Sequence, residues 1–468
     1  MYNKKTYLAL IILLDTLAIH AGFIMAFFIR FQNNLPEENL VAYQQTALWL
    51  SIVSIILFYF FELYSNWARK SYHQLMYSVF ISVGLMMVFT MAVSFWYREF
   101  AFPRSVILLS GVLNLILIGI IHTAVWYAQR LTFGKKKVLI VGQDVNDGLL
   151  IANKVLDHNK GWFTVKEFVP YCDHPKFLLS LTQAEVVILS PNIPKDEKVN
   201  IIHHTIQQNK EILLVPETYE LFMLSAEAQQ IDDMPVLSIK PSKLSTMQRT
   251  TKRMMDLCLS FMMLAVASPV MIALYVIIPL TSPGSAIFKQ ERIGLGGRRY
   301  QVLKFRSMVN NAEAYTGPVL ATQGDSRITK IGHFIRTTRL DELPQLFNVI
   351  KGDMSLVGPR PEREHFIDQF KKSIPEYGYR LAVKPGITGL AQVMGKYSTT
   401  VEDKLRYDLM YIHNYSFVFD LKILFQTLLV VVQKQKSAGV QNAGSEKEQV
   451  LLGLLNISEQ EVAAGKEY

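Results

Sequence analysis

The chain has little cysteine and little charge for its length. Only two cysteines occur among its 468 residues, Cys172 and Cys258, and they are far apart in sequence. They build neither a disulfide framework nor a zinc-ligand spacing, which is typical of proteins in a reducing compartment. Charged residues make up 19% of the chain, against about 25% in an ordinary soluble domain. An entirely soluble protein is therefore not expected. The net charge of +9 favours anionic partners such as phosphates, nucleotides or an acidic membrane surface.

Long apolar runs take the place of the missing charge. Four of them cover about 7–29, 42–61, 75–95 and 105–128. Each reaches the ~20 residues that a bilayer-spanning helix needs, and the first is too long for a cleavable signal peptide. Eight lysines and arginines flank the side of the bundle that carries its two ends, and three flank the other side. Both ends are therefore predicted to face the cytoplasm.

Two ionisable residues, Asp15 and His20, lie within the first run. Such residues can line a proton or substrate path, or they can make interhelical hydrogen bonds. The hydrogen-bond interpretation is favoured, because the other predicted spans offer no ionisable partner at a matching depth.

After Lys137 the pattern changes to short apolar strands that alternate with helices. Strands are predicted at 138–142, 164–169, 186–189 and 212–215, and helices at 144–158, 196–209 and 217–227. This alternation predicts a small parallel sheet wrapped by helices, a Rossmann-like domain. A dinucleotide fingerprint would need its second glycine where Asp144 stands, and a carboxylate there would repel pyrophosphate. A structural or regulatory role is therefore favoured over nucleotide binding.

A second kind of apolar segment runs from about 254 to 280 and is interrupted by Ser268-Pro269. Six basic residues follow it closely, so a plain fifth span would conflict with the positive-inside rule. Proline bends or breaks a helix and frees the carbonyl of Ala265, which the Ser268 hydroxyl can reach. A re-entrant helix that enters and leaves on the cytoplasmic side fits both signals. The alternative is a proline-kinked span.

The densest chemistry lies between residues 283 and 435. Basic residues alternate with glycines from Ile287 to Met308, a composition that suits a phosphate-bearing ligand. Further on, Asp341 and Glu342 follow Arg336 and Arg339. Asp341 is predicted to cap a helix, and an ionised Asp beside arginines can act as a nucleophile on phosphorus or as a magnesium ligand. The alternative is an ordinary capped helix with acidic residues in its first turn.

Seven motifs in order resemble the bacterial sugar transferase family, the monotopic phosphoglycosyl transferases. They are Lys252-Arg253-x-x-Asp256, Ser268-Pro269, Ser282-Pro283-Gly284, Lys304-Phe305-Arg306-Ser307-Met308, 340–346 (LDELPQL), 355–361 (SLVGPRP) and 384–389 (KPGITG). The resemblance covers about 248–435, and the N-terminal half is similar to the large form of the family. Ser285 stands where the family often has proline, a loop position of little consequence. The stretch 314–324 is longer than in small members and is expected to form a lid or to contact the sugar.

The resemblance implies transfer of a sugar-1-phosphate from a UDP-sugar to undecaprenyl phosphate, with release of UMP and use of Mg²⁺. This reaction would begin an exopolysaccharide, capsule or O-antigen repeat at the bacterial inner membrane. Asp341 would be the nucleophile and Glu342 its partner, both near the metal. The donor phosphates would be held by Lys304, Arg306, Arg336, Arg339 and Arg360. Membrane lipid and a second copy of the chain are further expected partners, and nucleic acid is not.

The predicted organisation has four parts. A four-span membrane bundle occupies 1–133, a Rossmann-like domain 134–240, a catalytic domain 241–435 with its re-entrant helix at 250–281, and a tail 436–468. Two other functions stay open: a non-catalytic membrane adaptor, and a direct glycosyltransferase that releases UDP. The carboxylate pair within an arginine cluster speaks against the adaptor, and the identity of the released nucleotide separates the two enzymes.

Overall fold

The computed structural model describes residues 4–32, 34–64, 71–96, 103–158, 162–239, 244–309, 325, 327–396 and 399–432. The predicted lid at 314–324 and the predicted tail at 436–468 lie outside the described residues. The chain divides between Val215 and Pro216 into two compact units. It is mostly helical, with several apolar helices and some parallel sheet. The predicted domain boundaries stay a prediction.

The first unit begins with four long apolar helices. They are α1 (Lys4–Phe31), α2 (Glu37–Phe60), α3 (Tyr72–Trp96) and α4 (Arg104–Phe133). Helix α4 packs on both α1 and α3, and α2 packs on α1 and α3. All four are long and apolar enough to cross a membrane.

The polar residues of α1 have partners on neighbouring helices. The two ring nitrogens of His20 make hydrogen bonds with the Tyr43 hydroxyl (2.6 Å) and the Ser51 hydroxyl (2.8 Å) of α2, which confirms the interhelical interpretation. Asp15 is 1% exposed, and its carboxylate lies 3.0 Å from Nε2 of the fully buried His122 on α4. The statement that the other helices offer Asp15 no ionisable partner is therefore wrong. A polar pair joins α1 to α4, the most extensively packed helix pair of this unit.

A four-stranded parallel sheet follows. Its strands are β1 (Lys136–Gly142), β2 (Phe163–Pro170), β3 (Val186–Leu189) and β4 (Glu211–Leu214), in the spatial order β2-β1-β3-β4. The helices that connect them are α5 (Val145–His158), α6 (His174–Gln183) and α7 (Lys195–Gln207). Apolar side chains on both faces of the sheet pack against these helices, because crossover connections cover both faces of a parallel sheet. All four predicted strands are confirmed, and α6 is an additional helix.

The carboxyl ends of β1 and β3 are bridged by side chains. Asp144, at the position of the missing glycine, accepts a hydrogen bond from the backbone N–H of Asp147 (2.9 Å). The Asp147 carboxylate accepts one from the Ser190 hydroxyl, which follows β3 (2.7 Å). Acidic side chains therefore occupy the turn where a dinucleotide fingerprint would present bare backbone.

The second unit opens with a short helix and a hairpin, and only the helix was predicted from the sequence. Helix α8 (Thr218–Met223) is shorter than the predicted helix 217–227, because Glu227 already starts a strand. The antiparallel hairpin of β5 (Glu227–Ile231) and β6 (Met234–Ser238) follows. Leu221 of α8 is buried in the main core of this unit.

Helix α9 (Thr246–Thr281) is 36 residues long and continuous through Ser268 and Pro269, so the predicted break at these two residues is not observed. By length and composition α9 could also cross a membrane, and the re-entrant placement stays a prediction. Ser245 starts it with a reciprocal capping box to Gln248. The predicted hydrogen bond from the Ser268 hydroxyl to the Ala265 carbonyl is confirmed at 2.9 Å. It partly satisfies the acceptor that the missing proline N–H leaves open.

Both ends of α9 are attached to the same unit. Near its start, Arg253 donates to the carbonyls of Val349 and Ile350 (2.6 and 2.7 Å). Near its end, Met271, Leu274 and Ile278 are buried in an apolar cluster with residues that follow α9. Between these anchors the outward-facing apolar side chains are largely exposed, and a membrane is the natural cover for them.

The remaining elements build the region that carries the motifs. In chain order they are β7 (Ile287–Ile293), β8 (Arg299–Phe305), α10 (Lys330–Thr337), α11 (Gln345–Lys351), β9 (Ser355–Val357), α12 (Glu364–Ser373), β10 (Gly386–Thr388), α13 (Leu390–Met394), α14 (Val401–His413) and α15 (Phe417–Val432). Strands β7 and β8 form an antiparallel hairpin, and β9 pairs with β10 in parallel. The main apolar core lies beneath α11, β9 and α14.

The first motif of the resemblance fastens α9 to this core. Lys252 donates to the buried Asp420 carboxylate of α15 (2.6 Å). Asp256 accepts from the Ser355 hydroxyl and from the Leu356 backbone N–H, both at 3.0 Å, at the start of β9. The spacing of this motif is helical, so both side chains lie on the buried face of α9. The start of β9 is thereby bonded to α9.

Candidate active site

The two predicted catalytic carboxylates lie on one turn between two helices. Leu340–Glu342 forms a single 3-10 turn after the end of α10 and before the start of α11. Arg339, which precedes the turn, has φ 57°, in the left-handed region that side chains disfavour. The prediction that Asp341 is a helix N-cap is wrong, because the helical turn already begins at Leu340. Asp341 therefore lies inside the first turn, where the helix dipole also favours an acidic side chain.

Glu342 is the centre of a cluster of cations. Its Oε1 lies 3.2 Å from Nζ of Lys304 and 3.2 Å from Nη2 of Arg360. Its Oε2 lies 3.9 Å from Nη1 of Arg339. The Glu342 side chain is only 12% exposed. Burial opposes ionisation of this carboxyl, but the attraction of Lys304, Arg360 and Arg339 outweighs it and lowers the pKa to about 2.

The neighbouring Asp341 has the opposite electrostatic balance. Burial and the adjacent Glu342 charge raise its pKa to about 6, against the pull of Lys304, Arg336 and Arg360. Within the part of the chain that the structure describes, no side chain or backbone N–H donates a hydrogen bond to its carboxylate. Such a carboxylate is ionised at neutral pH and more basic than an ordinary one, as a nucleophile or metal ligand requires.

Arg336, close to Asp341, also has a polar group that lacks a hydrogen-bond partner among the described residues. It lies in the last turn of α10, and its charge lowers the pKa of Asp341. Its Nη1 is buried and has no hydrogen-bond partner among the described residues. A buried guanidinium N–H without a partner is costly, and an anionic ligand would satisfy it.

The loop that carries Arg360 is held by close backbone packing. A side chain at Gly386 would meet the Gly358 backbone nitrogen at 2.1 Å, and one at Gly389 would meet the Gly358 carbonyl oxygen at 2.1 Å. The glycines of the 384–389 motif are therefore explained by contact with the 355–361 motif. This contact, together with the pairing of β9 and β10, directs Arg360 toward Glu342.

Arg306 lies elsewhere in the unit. It is 7% exposed, and its guanidinium donates to the carbonyls of Ser282 and Pro283 at the C-terminal end of α9. Cations are favourable at this end of a helix. The structure thus shows a role for Arg306 in ending α9, and its predicted contact with donor phosphate stays a prediction.

The described side chains of the site carry an excess of positive charge. Lys304, Arg336, Arg339 and Arg360 supply four positive charges, and the two carboxylates offset two of them. The site therefore suits a diphosphate. No group of three or more His, Cys, Asp and Glu side chains with metal-binding geometry occurs among the described residues. Mg²⁺ uses one or two carboxylates and takes its other ligands from water and phosphate, so the dyad fits it without such a group.

Three residues behind the Arg360 loop were not found from the sequence. Arg380 donates to the Arg360 carbonyl (2.8 Å) and pairs with Asp408 (2.8 Å), and Arg292 donates to the Pro361 carbonyl (3.2 Å). These contacts join residues that are 20 to 69 positions apart in the chain, and no local spacing indicates them.

Comparison with known proteins agrees with this geometry. Residues 247–434 match the family model described as bacterial sugar transferase. The chain is 46% identical over 184 residues to the UDP-N-acetylgalactosamine-undecaprenyl-phosphate N-acetylgalactosaminephosphotransferase of Aeromonas hydrophila, covering 39% of this chain and 43% of that protein. It is 41% identical to the UDP-glucose:undecaprenyl-phosphate glucose-1-phosphate transferase of Caulobacter vibrioides, covering 38% of this chain and 68% of that protein.

A third relative extends into the N-terminal half. The undecaprenyl-phosphate galactose phosphotransferase of Salmonella typhimurium is 28% identical over 445 residues, covering 88% of this chain and 92% of that protein. The match to the Aeromonas protein, by contrast, spans less than half of that protein's length. The described carboxylate turn, its cations and the Arg360 loop all fall within the matched region. The chain therefore belongs to the bacterial sugar transferase family.

Proposed function

We propose that the chain transfers a sugar-1-phosphate from a UDP-sugar to undecaprenyl phosphate and releases UMP. The observation that carries this proposal is the Asp341–Glu342 turn, where a carboxylate that has no hydrogen-bond donor among the described residues lies beside one held by three cations. The names of the relatives support the acceptor class. The product would begin assembly of an exopolysaccharide, capsule or O-antigen repeat.

In the first step, a carboxylate oxygen of Asp341 attacks the β-phosphorus of the UDP-sugar. The bond from this phosphorus to the oxygen of the α-phosphate breaks, and UMP leaves with the bonding electron pair. The intermediate is an acyl phosphate that joins Asp341 to the sugar-1-phosphate. Burial favours this chemistry because it raises the pKa of Asp341 and weakens the competition from water.

In the second step, a phosphate oxygen of undecaprenyl phosphate attacks the same phosphorus. The bond to Asp341 breaks, which regenerates the carboxylate and leaves a sugar linked to undecaprenyl diphosphate. One site can then serve a soluble donor and a lipid acceptor in turn, and ping-pong kinetics follow.

The cations have separate tasks in this proposal. Arg336, whose Nη1 has no partner within the described part of the chain, binds the donor diphosphate, and Arg339 assists it. Lys304 and Arg360 stabilise the charge that develops on phosphorus, and Glu342 holds both of them at 3.2 Å. Mg²⁺ bound by Asp341 and Glu342 would offset the charge of the diphosphate. Arg306 is assigned to donor binding only through its motif.

The attachments of α9 support a re-entrant placement of this helix. Lys252 and Arg253 fasten its start, and the apolar cluster around Ile278 fastens its end, to the same unit. A helix held to one unit at both ends has no need to cross the bilayer. We propose that α9 bends at Ser268-Pro269 and that its exposed apolar surface lies in the cytoplasmic leaflet. This placement would bring Asp341 to the interface where a soluble donor meets lipid phosphate.

We propose that α1–α4 form a four-span bundle in the bacterial inner membrane and that the catalytic residues face the cytoplasm. The parallel sheet that follows is proposed to be a Rossmann-like domain with a structural or regulatory role. We also propose a homodimer. Its support is the β5–β6 hairpin, because a two-stranded hairpin is marginal alone and Ile231, Met234 and Leu237 are all more than half exposed.

The released nucleotide tests the proposed reaction most simply. The full chain in detergent would be incubated with undecaprenyl phosphate and each of several UDP-sugars, and UMP and UDP would be separated by chromatography. UMP is the expected product, and Asp341→Asn is expected to abolish its release. The matched control is Asp368→Asn, which changes an exposed carboxyl of α12 and should leave the rate unchanged. UDP as the product would favour direct glycosyl transfer, and no nucleotide would favour the adaptor.

A further inference from the structure

The loop that presents Arg360 is held from behind by a second arginine. The Arg360 side chain points forward to Glu342 at 3.2 Å, and its own carbonyl accepts a hydrogen bond from Nη2 of Arg380 at 2.8 Å. The Arg380 side chain is 6% exposed and lies in the 3-10 segment Pro375–Ala382. Arg380 thus binds the backbone of Arg360, and the Arg360 side chain contacts the Glu342 carboxylate.

Arg380 is itself held in place by two buried groups. The same Nη2 lies 2.8 Å from Oδ2 of Asp408 on α14, and Nη1 donates to the Tyr377 hydroxyl. Asp408 is 2% exposed. Burial raises its pKa to about 6, and the charge of Arg380 works against that rise. The side chain of Arg380 therefore has little freedom to turn away from the Arg360 carbonyl.

The buried pair of Arg380 and Asp408 is an inefficient way to stabilise the fold. Removing two charges from water carries a large desolvation penalty, and apolar residues of similar size often stabilise a core at least as well as a buried ion pair. A buried pair does, however, fix direction, because a planar guanidinium bonds its partners in set orientations. The direction fixed here is that of the Arg360 backbone.

We propose that Arg380 and Asp408 are positioning residues that fix Arg360 for its contact with Glu342 during sugar-1-phosphate transfer. Neither residue is assigned a contact with substrate, and both act through Arg360. The inference rests on the proposed function, because it concerns the same reaction.

A double-mutant cycle separates positioning from general stability. Rates of UMP release by the full chain would be measured for wild type, Arg380→Lys, Arg360→Ala and the double variant. Arg380→Lys keeps the charge but loses the planar fork, and a small displacement of a positioned group can lower kcat/KM by ~10- to 100-fold. In the Arg360→Ala background, Arg380→Lys is expected to change kcat/KM by less than about twofold, since residues that act as one unit are not additive.

The control is a buried pair of the first unit. His122→Phe disrupts the pair of His122 and Asp15, whose side chains are 0% and 1% exposed, against 3% and 6% for Asp408 and Arg380. Its effect on kcat/KM should multiply with that of Arg360→Ala, as expected for a change that acts through stability alone. If Arg380→Lys fails to fold, Tyr377→Phe, which removes only one hydroxyl from the network, replaces it in the cycle.

Each outcome decides one question. Loss of the Arg380 effect in the Arg360→Ala background, with a multiplicative control, supports the positioning role. Fully multiplicative effects of Arg380→Lys and Arg360→Ala in an active enzyme overturn it and leave the proposed function intact. Absence of UMP release by the wild-type chain overturns the proposed function, and the positioning role falls with it.

Discussion

Two neighbouring substitutions of the same chemical kind should change stability in opposite directions. Asp341→Asn and Glu342→Gln each replace a carboxylate by an amide of equal size on the same turn. Burial and the Glu342 charge raise the pKa of Asp341 from 3.8 to about 6, whereas three cations lower the pKa of Glu342 from 4.5 to about 2. At neutral pH the ionised Asp341 therefore destabilises the folded state, and the ionised Glu342 stabilises it.

The magnitudes follow from linkage between protonation and folding. A pKa difference of this size between the folded and unfolded states changes the free energy of unfolding by roughly 3 kcal/mol. Since an amide in either place keeps part of the burial cost, Asp341→Asn should stabilise the chain by roughly 1–3 kcal/mol at pH 7.5, and Glu342→Gln should destabilise it by a similar amount.

The pH dependence distinguishes the two residues further. The folded state binds the Asp341 proton more tightly than the unfolded state, so its cost grows as pH rises from 3.8 to 6 and is complete above that window. At pH 5 the gain from Asp341→Asn should fall to about half of its value at pH 7.5. The contribution of Glu342 is present above pH 4.5 and is lost only as pH falls toward 2, so the loss from Glu342→Gln should hardly change.

Thermal unfolding of the full chain in detergent, followed by tryptophan fluorescence at both pH values, measures these differences. Asp368→Asn, on the exposed face of α12, is the control for a simple change of charge. A decrease in Tm for Asp341→Asn at pH 7.5, or an increase for Glu342→Gln, would refute the assigned electrostatic balance.

Three further changes test other parts of the structure. Gly332→Ala in α10 should lower the Tm of the second unit, because its Cβ would meet the Ser307 carbonyl oxygen at 1.9 Å; an unchanged Tm would contradict that close approach. His122→Phe should destabilise the α1–α4 pair by about 1–2 kcal/mol, because it leaves Asp15 buried without its partner, and an unchanged unfolding midpoint in detergent would argue against the pair. A thiol at Ser285→Cys should react with a membrane-impermeant maleimide only from the cytoplasmic side, and labelling from the outside alone would exclude the re-entrant placement of α9.

Local patterns in the sequence predicted much of the fold. The four strands of the first unit are short apolar runs between turn residues, and the structure has all four. The hydrogen bond from Ser268 to Ala265 was predictable because both residues lie on one helical turn. In each case the physical cause lies within a few neighbouring residues, where spacing along the chain decides the geometry.

Contacts between distant residues could not be predicted in the same way. Asp15 and His122 are 107 residues apart, and Arg380 and Asp408 lie on elements whose packing no local period indicates. The segment after Glu227 has no clear alternation, so its hairpin was not predicted, and the predicted helix 217–227 extends past the observed end of α8 at Met223. At the site, the residue types were predictable, but the division of charge between Asp341 and Glu342 depends on which cations the fold brings to which carboxylate.

The covalent step at Asp341 is the central claim, and one measurement tests it most directly. The full chain would be mixed rapidly with a UDP-sugar that carries ³²P at the β-phosphorus, in the absence of undecaprenyl phosphate. The proposal predicts a burst of about one UMP per site, with the label retained on the proteolytic peptide that contains Asp341 and absent from Asp341→Asn. An unlabelled protein that releases UMP only after the lipid acceptor is added would contradict it.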